Sequence, residues 1–246
     1  MSDDGRGQKF GTVAEQYDQY RPDPPEEAIS LTGDLTGLNV LDVGAGTGKL
    51  TRFLVRHGAR VSAIEPDEEM RKVLVRQSPE VTVLLGSAES VPAEDASFDA
   101  VFSSSAWHWF RQPDAENEFA RILVDDGALH VWWNGFSRDV PWMRQLSALR
   151  ERPGQEGRRP RGWTAELEPG GPFVDVENFQ LNWIWPRTVE QVVRNFTTYS
   201  GAVIQDEAAR LELENSARAK LIELVGEGPL ELEMTLRGTN ARRRAR

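Results

Sequence analysis

Cysteine is absent from this chain. Thiol catalysis, disulfide bonds and cysteine-ligated zinc sites are therefore excluded. The sequence also lacks an apolar run that approaches the roughly 20 residues needed to cross a bilayer. Residues 1–9 are polar and lack the apolar stretch of a signal peptide. We therefore expect a cytoplasmic protein that has no membrane partner.

Basic residues are fewer than acidic residues in this sequence. Lys and Arg number 29 against 39 Asp and Glu, which gives a net charge of −10. Because phosphate neutralisation supplies much of the affinity of nucleic-acid binders, this balance argues against DNA or RNA as a partner. Arginines nevertheless cluster between Arg150 and Arg161 and in the tail, at Arg242, Arg243, Arg244 and Arg246. We expect both clusters to be solvated; the alternative is a lid that attracts an anionic substrate.

Short apolar stretches alternate with amphipathic ones through the first half of the chain. Their spacing predicts strands over residues 39–43, 61–64, 81–85, 98–103 and 128–133, with helices between them. Such alternation predicts an α/β fold, with a Rossmann-like, mostly parallel sheet that is covered by helices on both faces. Ligands of these sheets bind at the carboxyl ends of the strands. Candidate functional residues should therefore follow the strands directly.

The pattern changes after Asn134. We expect a helix over residues 138–150, a loop over 151–172, a strand over 179–185 and helices over 188–199 and 207–224. Thr188 and Gln191 form a capping-box pair at the start of one helix. The last strand, residues 230–236, has one polar face and should be antiparallel or lie at an edge. The chain is thus expected to be a single domain with a lid (10–36), a core (37–136), a cap (137–205) and a return to the sheet with a basic tail (206–246).

The most informative motif is the glycine loop, residues 42–48, with the letters DVGAGTG. It follows a predicted strand and opens a helix, so free N–H groups at the helix start would favour a carboxylate or phosphate. The next strand ends at Glu65, whose carboxylate can accept from both hydroxyls of a ribose. A dinucleotide fingerprint would place its third glycine at Lys49, whereas here the glycine is Gly48. This spacing disfavours NAD(P).

The loop resembles motif I of the class I S-adenosylmethionine (SAM)-dependent methyltransferases. Residues 86–89 (GSAE) and 97–103 (SFDAVFS) are similar to the family's segments after the third strand and along the fourth. The resemblance implies a seven-stranded sheet and SAM as methyl donor, with S-adenosylhomocysteine as product. It assigns donor contacts to Asp42, Gly44, Ala45, Gly46, Gly48, Glu65, Pro66, Ala88, Glu89, Ser103 and Ser104.

Residues 10–25 resemble one group within this family more specifically. Phe10, Ala14, Tyr17, Arg21, Pro22 and Pro25 are similar to the lead-in of the type 11 group, which includes enzymes like trans-aconitate methyltransferase. In that group the N-terminal helix covers the donor, which implies that Tyr17 and Arg21 approach its methionine end. Pro24 stands where the family has a tyrosine.

Acceptor chemistry is predicted for the segment after the fourth strand. His108 is the candidate general base, because an imidazole titrates near neutral pH; the alternative is a structural hydrogen-bonding role. The many tryptophans, eight in all, suit an aromatic wall around an apolar, planar or cationic acceptor, or ordinary packing between cap and core. The candidate acceptor contacts are Trp107, Trp109, Trp133, Asn195 and Tyr199. No metal site is expected.

We interpret the chain as a SAM-dependent methyltransferase that acts on a small molecule, either as a monomer or as a homodimer. O-methylation is our first choice from the resemblance, and N- or C-methylation are the alternatives. Two other functions stay open: a SAM-binding protein without methyl transfer, and an RNA or protein methyltransferase. Fold alone does not decide between them.

Overall fold

A computed structural model describes residues 14–149, 164–199 and 207–245. The arginine cluster between Arg150 and Arg161, the tail residue Arg246 and the lead-in residue Phe10 lie outside these ranges. The described chain forms one seven-stranded sheet in the order β3-β2-β1-β4-β5-β7-β6. The strands are β1 (Asn39–Val43), β2 (Arg60–Ile64), β3 (Thr82–Leu84), β4 (Phe98–Ser104), β5 (Leu123–Phe136), β6 (Phe173–Arg187) and β7 (Leu230–Arg243).

The first five strands are parallel to one another, as predicted from the alternating pattern. The predicted limits of β1 are confirmed at both ends, whereas β5 is longer than predicted. The α-helices are α1 (Ala14–Tyr20), α2 (Lys49–Arg56), α3 (Glu68–Gln77), α4 (Asp114–Ile122), α5 (Pro141–Ala148), α6 (Val189–Phe196) and α7 (Glu207–Val225). None of the helices within the described ranges is long and apolar enough to cross a membrane.

Helices cover both faces of the sheet. Phe119 and Ile122 of α4 pack with Val101 of β4 on one face, and Phe53 of α2 packs with Phe102 of β4 on the other. A further apolar cluster joins α5, α6 and α7 to β6 and β7. The predicted capping box of Thr188 and Gln191 is present, but α6 ends at Phe196 rather than near residue 199.

Strand β7 is antiparallel to both β5 and β6. The last strand was predicted to be antiparallel or to lie at an edge, and the antiparallel alternative is confirmed. The edge is formed by β6 instead, because β7 inserts between β5 and β6. The sheet order therefore places the parallel strands on one side and an antiparallel extension on the other.

The expectation that the basic tail is solvated is wrong for Arg243. Strand β7 continues to this residue, whose backbone pairs with Phe173. The residue is only 4% exposed, and its guanidinium forms an ion pair with Asp125. A buried charge is tolerated when it is paired. The sequence pattern did not reveal that Asp125 would supply the partner for Arg243.

The buried His130 predicts an acid-sensitive stability. Burial lowers the pKa of His130 from 6.5 to about 4. Because the unfolded chain binds the proton more readily, the free energy of unfolding should decrease as pH falls from 6.5 to 4. The loss approaches about 3 kcal/mol, at 1.36 kcal/mol for each pKa unit. Denaturant unfolding measures this loss at pH values of about 7.5, 5.5 and 4.5, which span the titration of an imidazole.

His130→Gln is the matched variant, since the glutamine amide can still donate to Asn240 Oδ1, which lies 2.8 Å from His130 Nδ1. Other titrating groups act equally in both proteins and cancel in the difference. An equal slope of stability against pH in the two proteins would contradict the assignment to His130.

Candidate functional site

A cleft opens where the carboxyl ends of β1, β4 and β5 meet. It contains about 550 Å³ of empty space, part of which is continuous with solvent. This size is in the range of small-molecule sites. Its lining comprises Tyr17, Arg21, Pro22, Pro24, Asp42, Gly44, Ala45, Gly46, Lys49, Leu50, Ser104, Ser105 and Asn134. The strand-end location agrees with the sequence prediction.

The glycine loop shapes one wall of the cleft. Gly46 has φ +59°, and a Cβ added there would meet no atom within 4 Å. A Cβ at Gly44 would lie 2.5 Å from Ala106 Cβ, so the loop packs closely against the segment after β4. The empty space beside Gly46 is a cradle that any side chain would fill.

The expectation that the loop amides are free is wrong for several of them. The N–H groups of Gly44 and Ala45 both donate to Ile64 O, at 2.9 and 3.0 Å. Gly48 N–H donates to Ala45 O at 2.9 Å. These bonds fix the loop to the end of β2, because a buried amide needs an acceptor. The amides of Gly44, Ala45 and Gly48 are therefore satisfied within the protein and are not free donors in the cleft.

Asp42 is a buried residue of the cleft lining with one unsatisfied carboxylate oxygen. Its Oδ2 accepts from Thr51 Oγ1 at 2.6 Å, whereas its Oδ1 is buried without a hydrogen-bond partner among the described residues. Burial, together with the charge of the nearby Glu65, raises the pKa of Asp42 to about 7. A cationic donor placed at Oδ1 would satisfy this atom and favour the ionised carboxylate.

Glu65 lies at the end of β2, as predicted, but it is directed toward the protein backbone. Its Oε2 accepts from Gly46 N–H at 2.7 Å, and its Oε1 accepts from Asp67 N–H at 2.8 Å. The residue is buried and does not line the cleft. Burial raises the pKa of Glu65 to about 7. Each carboxylate oxygen keeps a second lone pair, so these bonds leave acceptor capacity for a ribose.

Tyr17 and Arg21 reach the cleft from the N-terminal segment, as predicted. The Arg21 guanidinium stacks on the rings of Tyr17 and Tyr199, with its Cζ 4.9 and 3.5 Å from their centroids. Arg21 Nη2 also donates to Thr198 O at 3.1 Å. Asn195 is buried, and its amide donates to Tyr20 O at 2.9 Å. Asn195 and Tyr199, predicted as acceptor contacts, thus hold the N-terminal segment and do not themselves line the cleft.

The other predicted donor contacts are distributed along the same edge of the sheet. Ser104 lines the cleft, and Ser103 is buried beside it with no described partner for its Oγ. Glu89 Oε1 accepts from Arg111 N–H at 2.7 Å, which connects the segment after β3 to the segment after β4. Ala88 is buried in the core and Pro66 is exposed.

The aromatic segment after β4 forms a short 3-10 helix, Trp107–Trp109. His108 is exposed and its ring lies 4.6 Å from that of Trp109. Trp107 packs in the core against Phe119. None of these residues lines the cleft. Their predicted roles as base and acceptor contacts are therefore not supported by proximity to it.

Trp133 lies on the other face of β5 from Asn134, since successive strand residues alternate in direction. It contributes to a separate, smaller depression together with Arg237 of β7. The predicted acceptor contact at Trp133 is thus outside the cleft. The residue on the cleft side at this point of β5 is Asn134.

Sequence reasoning missed Lys49 and Asn134. Lys49 begins α2 and lines the cleft, and its Nζ lies 3.1 Å from Asp23 Oδ1. Asn134 donates to Asp23 O at 3.0 Å and accepts from Trp183 Nε1 at 3.2 Å. Lys49 follows the glycine loop after β1, and Asn134 follows the predicted end of the fifth strand at residue 133, although β5 in fact continues to Phe136. These positions were the available signal. Within the described ranges, no group of His, Asp and Glu is arranged to hold a metal ion.

Comparisons with known proteins agree with this geometry. A family model described as a methyltransferase domain matches residues 41–131. An uncharacterized methyltransferase of Mycobacterium tuberculosis is 39% identical over 174 residues, which are 71% of this chain and 69% of the relative. An uncharacterized methyltransferase of Schizosaccharomyces pombe is 31% identical over 199 residues, or 79% of each chain.

Solved structures share the fold. A candidate type II methyltransferase from Anaeromyxobacter dehalogenans superposes with a TM-score of 0.64 at 21% identity, covering 92% of this chain and 98% of the other. A phosphoethanolamine N-methyltransferase from Haemonchus contortus, solved in complex with SAM, gives a TM-score of 0.55 at 16% identity, covering 95% and 57%. At these identities the likeness concerns the fold. The likeness to trans-aconitate methyltransferase is not confirmed by these relatives.

Proposed function

The chain belongs to the class I SAM-dependent methyltransferases, and we propose that it methylates a small molecule in the cleft between the N-terminal segment and the strand ends. The observation that carries this proposal is the cradle at Gly46 next to the unpartnered, buried Asp42 Oδ1. The division into lid, core, cap and return to the sheet stays as proposed from the sequence.

The cleft residues fit the polar groups of the donor. SAM carries an ammonium, a carboxylate and a sulfonium at one end and a ribose with adenine at the other. Asp42 would accept from the ammonium, and Arg21 would bind the carboxylate, because its guanidinium is preorganised between two rings. Glu65 would accept from the ribose, and the segment of Ala88 and Glu89 would border the adenine.

The bound donor supplies an activated methyl group on a positively charged sulfur. The protein's contribution is mainly to place the acceptor in line with that methyl group, and proximity of this kind can supply several kcal/mol, roughly 7–11. Ser104 and Ser105 lie at the end of β4 and Asn134 lies near the end of β5, and all three line the cleft, so they are positioned to orient the acceptor. The N-terminal segment, through Pro22 and Pro24, would exclude water from the same space.

A carboxylate acceptor is our first choice of substrate. Among the described residues that line the cleft there is no histidine, and Asp42 is the carboxyl group already assigned to the donor. A carboxylate is ionised near neutral pH, so its methylation needs no general base. This supports O-methylation; N- or C-methylation would need a base or an already neutral nucleophile.

His108→Ala is expected to lower kcat by less than about tenfold, because His108 is exposed and outside the cleft lining. Removal of a general base would instead cost roughly 100- to 10,000-fold. The measurement is kcat over a range of pH, with donor affinity measured in parallel to show that the cleft is intact. A large loss of kcat together with a lost acidic limb of the pH profile would restore His108 as the base and favour a hydroxyl or amine acceptor.

Transfer of a radioactive methyl group from SAM to a panel of small carboxylic acids tests the proposal itself. Incorporation that can be hydrolysed as an ester would support O-methylation. Two alternatives predict other results: a SAM-binding protein without transfer would bind donor and label nothing, and an RNA or protein methyltransferase would label a macromolecule. The acidic net charge of −10 disfavours RNA.

A further inference from the structure

Residues 21–25, which we call the strap, form part of the wall of the donor cleft. Arg21, Pro22 and Pro24 line the cleft, whereas the Asp23 side chain is directed outward. Proline fixes φ near −65°, and three of the five strap residues are proline. The strap is therefore stiff and should move as a unit about its ends.

Both ends of the strap are held to the body of the protein. On the N-terminal side, Asp18 of α1 pairs with Arg52 of α2 at 2.7 Å. On the C-terminal side, Glu26 pairs with Arg56 at 3.1 Å. The middle of the strap depends on Asp23, whose carbonyl accepts from Asn134 and whose carboxylate pairs with Lys49.

The Asp23–Lys49 pair joins the strap to the first residue of α2. The side chains are unequally exposed, 54% for Asp23 and 13% for Lys49. A cation at a helix N-terminus is disfavoured by the helix dipole, and the first turn of α2 contains no acidic residue. Asp23 supplies the compensating negative charge from outside the helix. Its field also acts on Arg187, the last residue of β6.

We propose that Asp23 is a positioning residue that holds the strap closed over the bound donor, so that release of the product requires the Asp23–Lys49 ion pair to break. This inference rests on the proposed function, because it assumes that the cleft holds SAM and its product S-adenosylhomocysteine. Closure would place Arg21 and the prolines against the ligand during transfer. Opening would then limit how fast the product leaves.

The test compares product release from wild type and Asp23→Asn. The side chain of Asn keeps its size and leaves the backbone carbonyl for Asn134, so only the charge is lost. We expect release of S-adenosylhomocysteine, followed by the change in tryptophan fluorescence after dilution, to be about two- to fivefold faster, the range for one exposed ion pair. Wild-type release should also accelerate with salt, whereas that of Asp23→Asn should not.

Two variants serve as controls. Asp23→Glu restores the charge and should return the rate and its salt dependence toward wild type. Glu223→Gln breaks an exposed ion pair with Lys220, 2.8 Å long, on α7, and should change neither. Equal release rates in wild type and Asp23→Asn, or acceleration by Glu223→Gln to the same extent, would overturn the role of Asp23. Absence of any binding of S-adenosylhomocysteine to wild type would overturn the proposed function together with this inference.

Discussion

Gly46→Val is expected to reduce SAM affinity at least about a hundredfold, or about 2.7 kcal/mol, while the sheet stays folded. The added Cβ meets no protein atom within 4 Å, so the valine side chain enters the space proposed for the donor. Calorimetric titration of SAM measures the affinity, and thermal unfolding measures the fold. Gly46→Ala should give an intermediate loss, because it adds only the Cβ.

The control for Gly46→Val must separate blocked space from backbone strain. Gly46 has φ +59°, and an L-residue in this region of backbone conformation costs about 1–2 kcal/mol. Gly33 has φ +74° and equally open surroundings, but it lies away from the cleft. Gly33→Val should therefore show a similar loss of thermal stability with unchanged SAM affinity. Unchanged affinity in Gly46→Val would contradict the placement of the donor.

SAM affinity is expected to rise steeply with pH up to about 7 and then to level off. Burial raises the pKa of Asp42 and of Glu65 to about 7 in the free protein. The donor's ammonium and ribose hydroxyls would bond to the ionised carboxylates and lower both pKa values, so binding releases protons below pH 7. Affinity therefore changes by up to about tenfold per pH unit for each group. Calorimetry in buffers that differ in ionisation enthalpy measures how many protons are released when SAM binds.

Glu65→Gln is the variant that tests this linkage. Its amide nitrogen would face Gly46 N–H or Asp67 N–H, where the wild-type oxygens accept. We expect a loss of affinity of about ten- to a hundredfold, the scale of bonds to a charged group, and a shallower dependence on pH. Glu68→Gln is the matched control, because that exposed carboxylate pairs with Lys72 on the surface of α3. An unchanged pH profile in Glu65→Gln would remove Glu65 from the donor site.

The parallel half of the fold could be predicted from the sequence because its signal is local. Buried parallel strands are short apolar runs, and β1, β2 and β4 were placed within one residue at each end. The antiparallel half depends on pairing between distant segments. The length of β7 and the burial of Arg243 are set by Phe173 and Asp125, neither of which is near it in sequence.

The same distinction applies to the candidate site. Asp42, Gly44, Gly46 and Ser104 lie at or just after the ends of strands, and the structure brings them together at one cleft. His108 was predicted from its position after β4, but a single turn of 3-10 helix directs it to solvent. Lys49 and Asn134 were missed because their importance comes from Asp23, which reaches them from another part of the chain.

A crystal structure of the protein with S-adenosylhomocysteine tests the central claim most directly. The account predicts the amino-acid end of the ligand beside Gly46 and Asp42, and both ribose hydroxyls within hydrogen-bonding distance of Glu65. A ligand bound elsewhere, or a Glu65 carboxylate that contacts only Gly46 and Asp67 while the ligand is present, would contradict it.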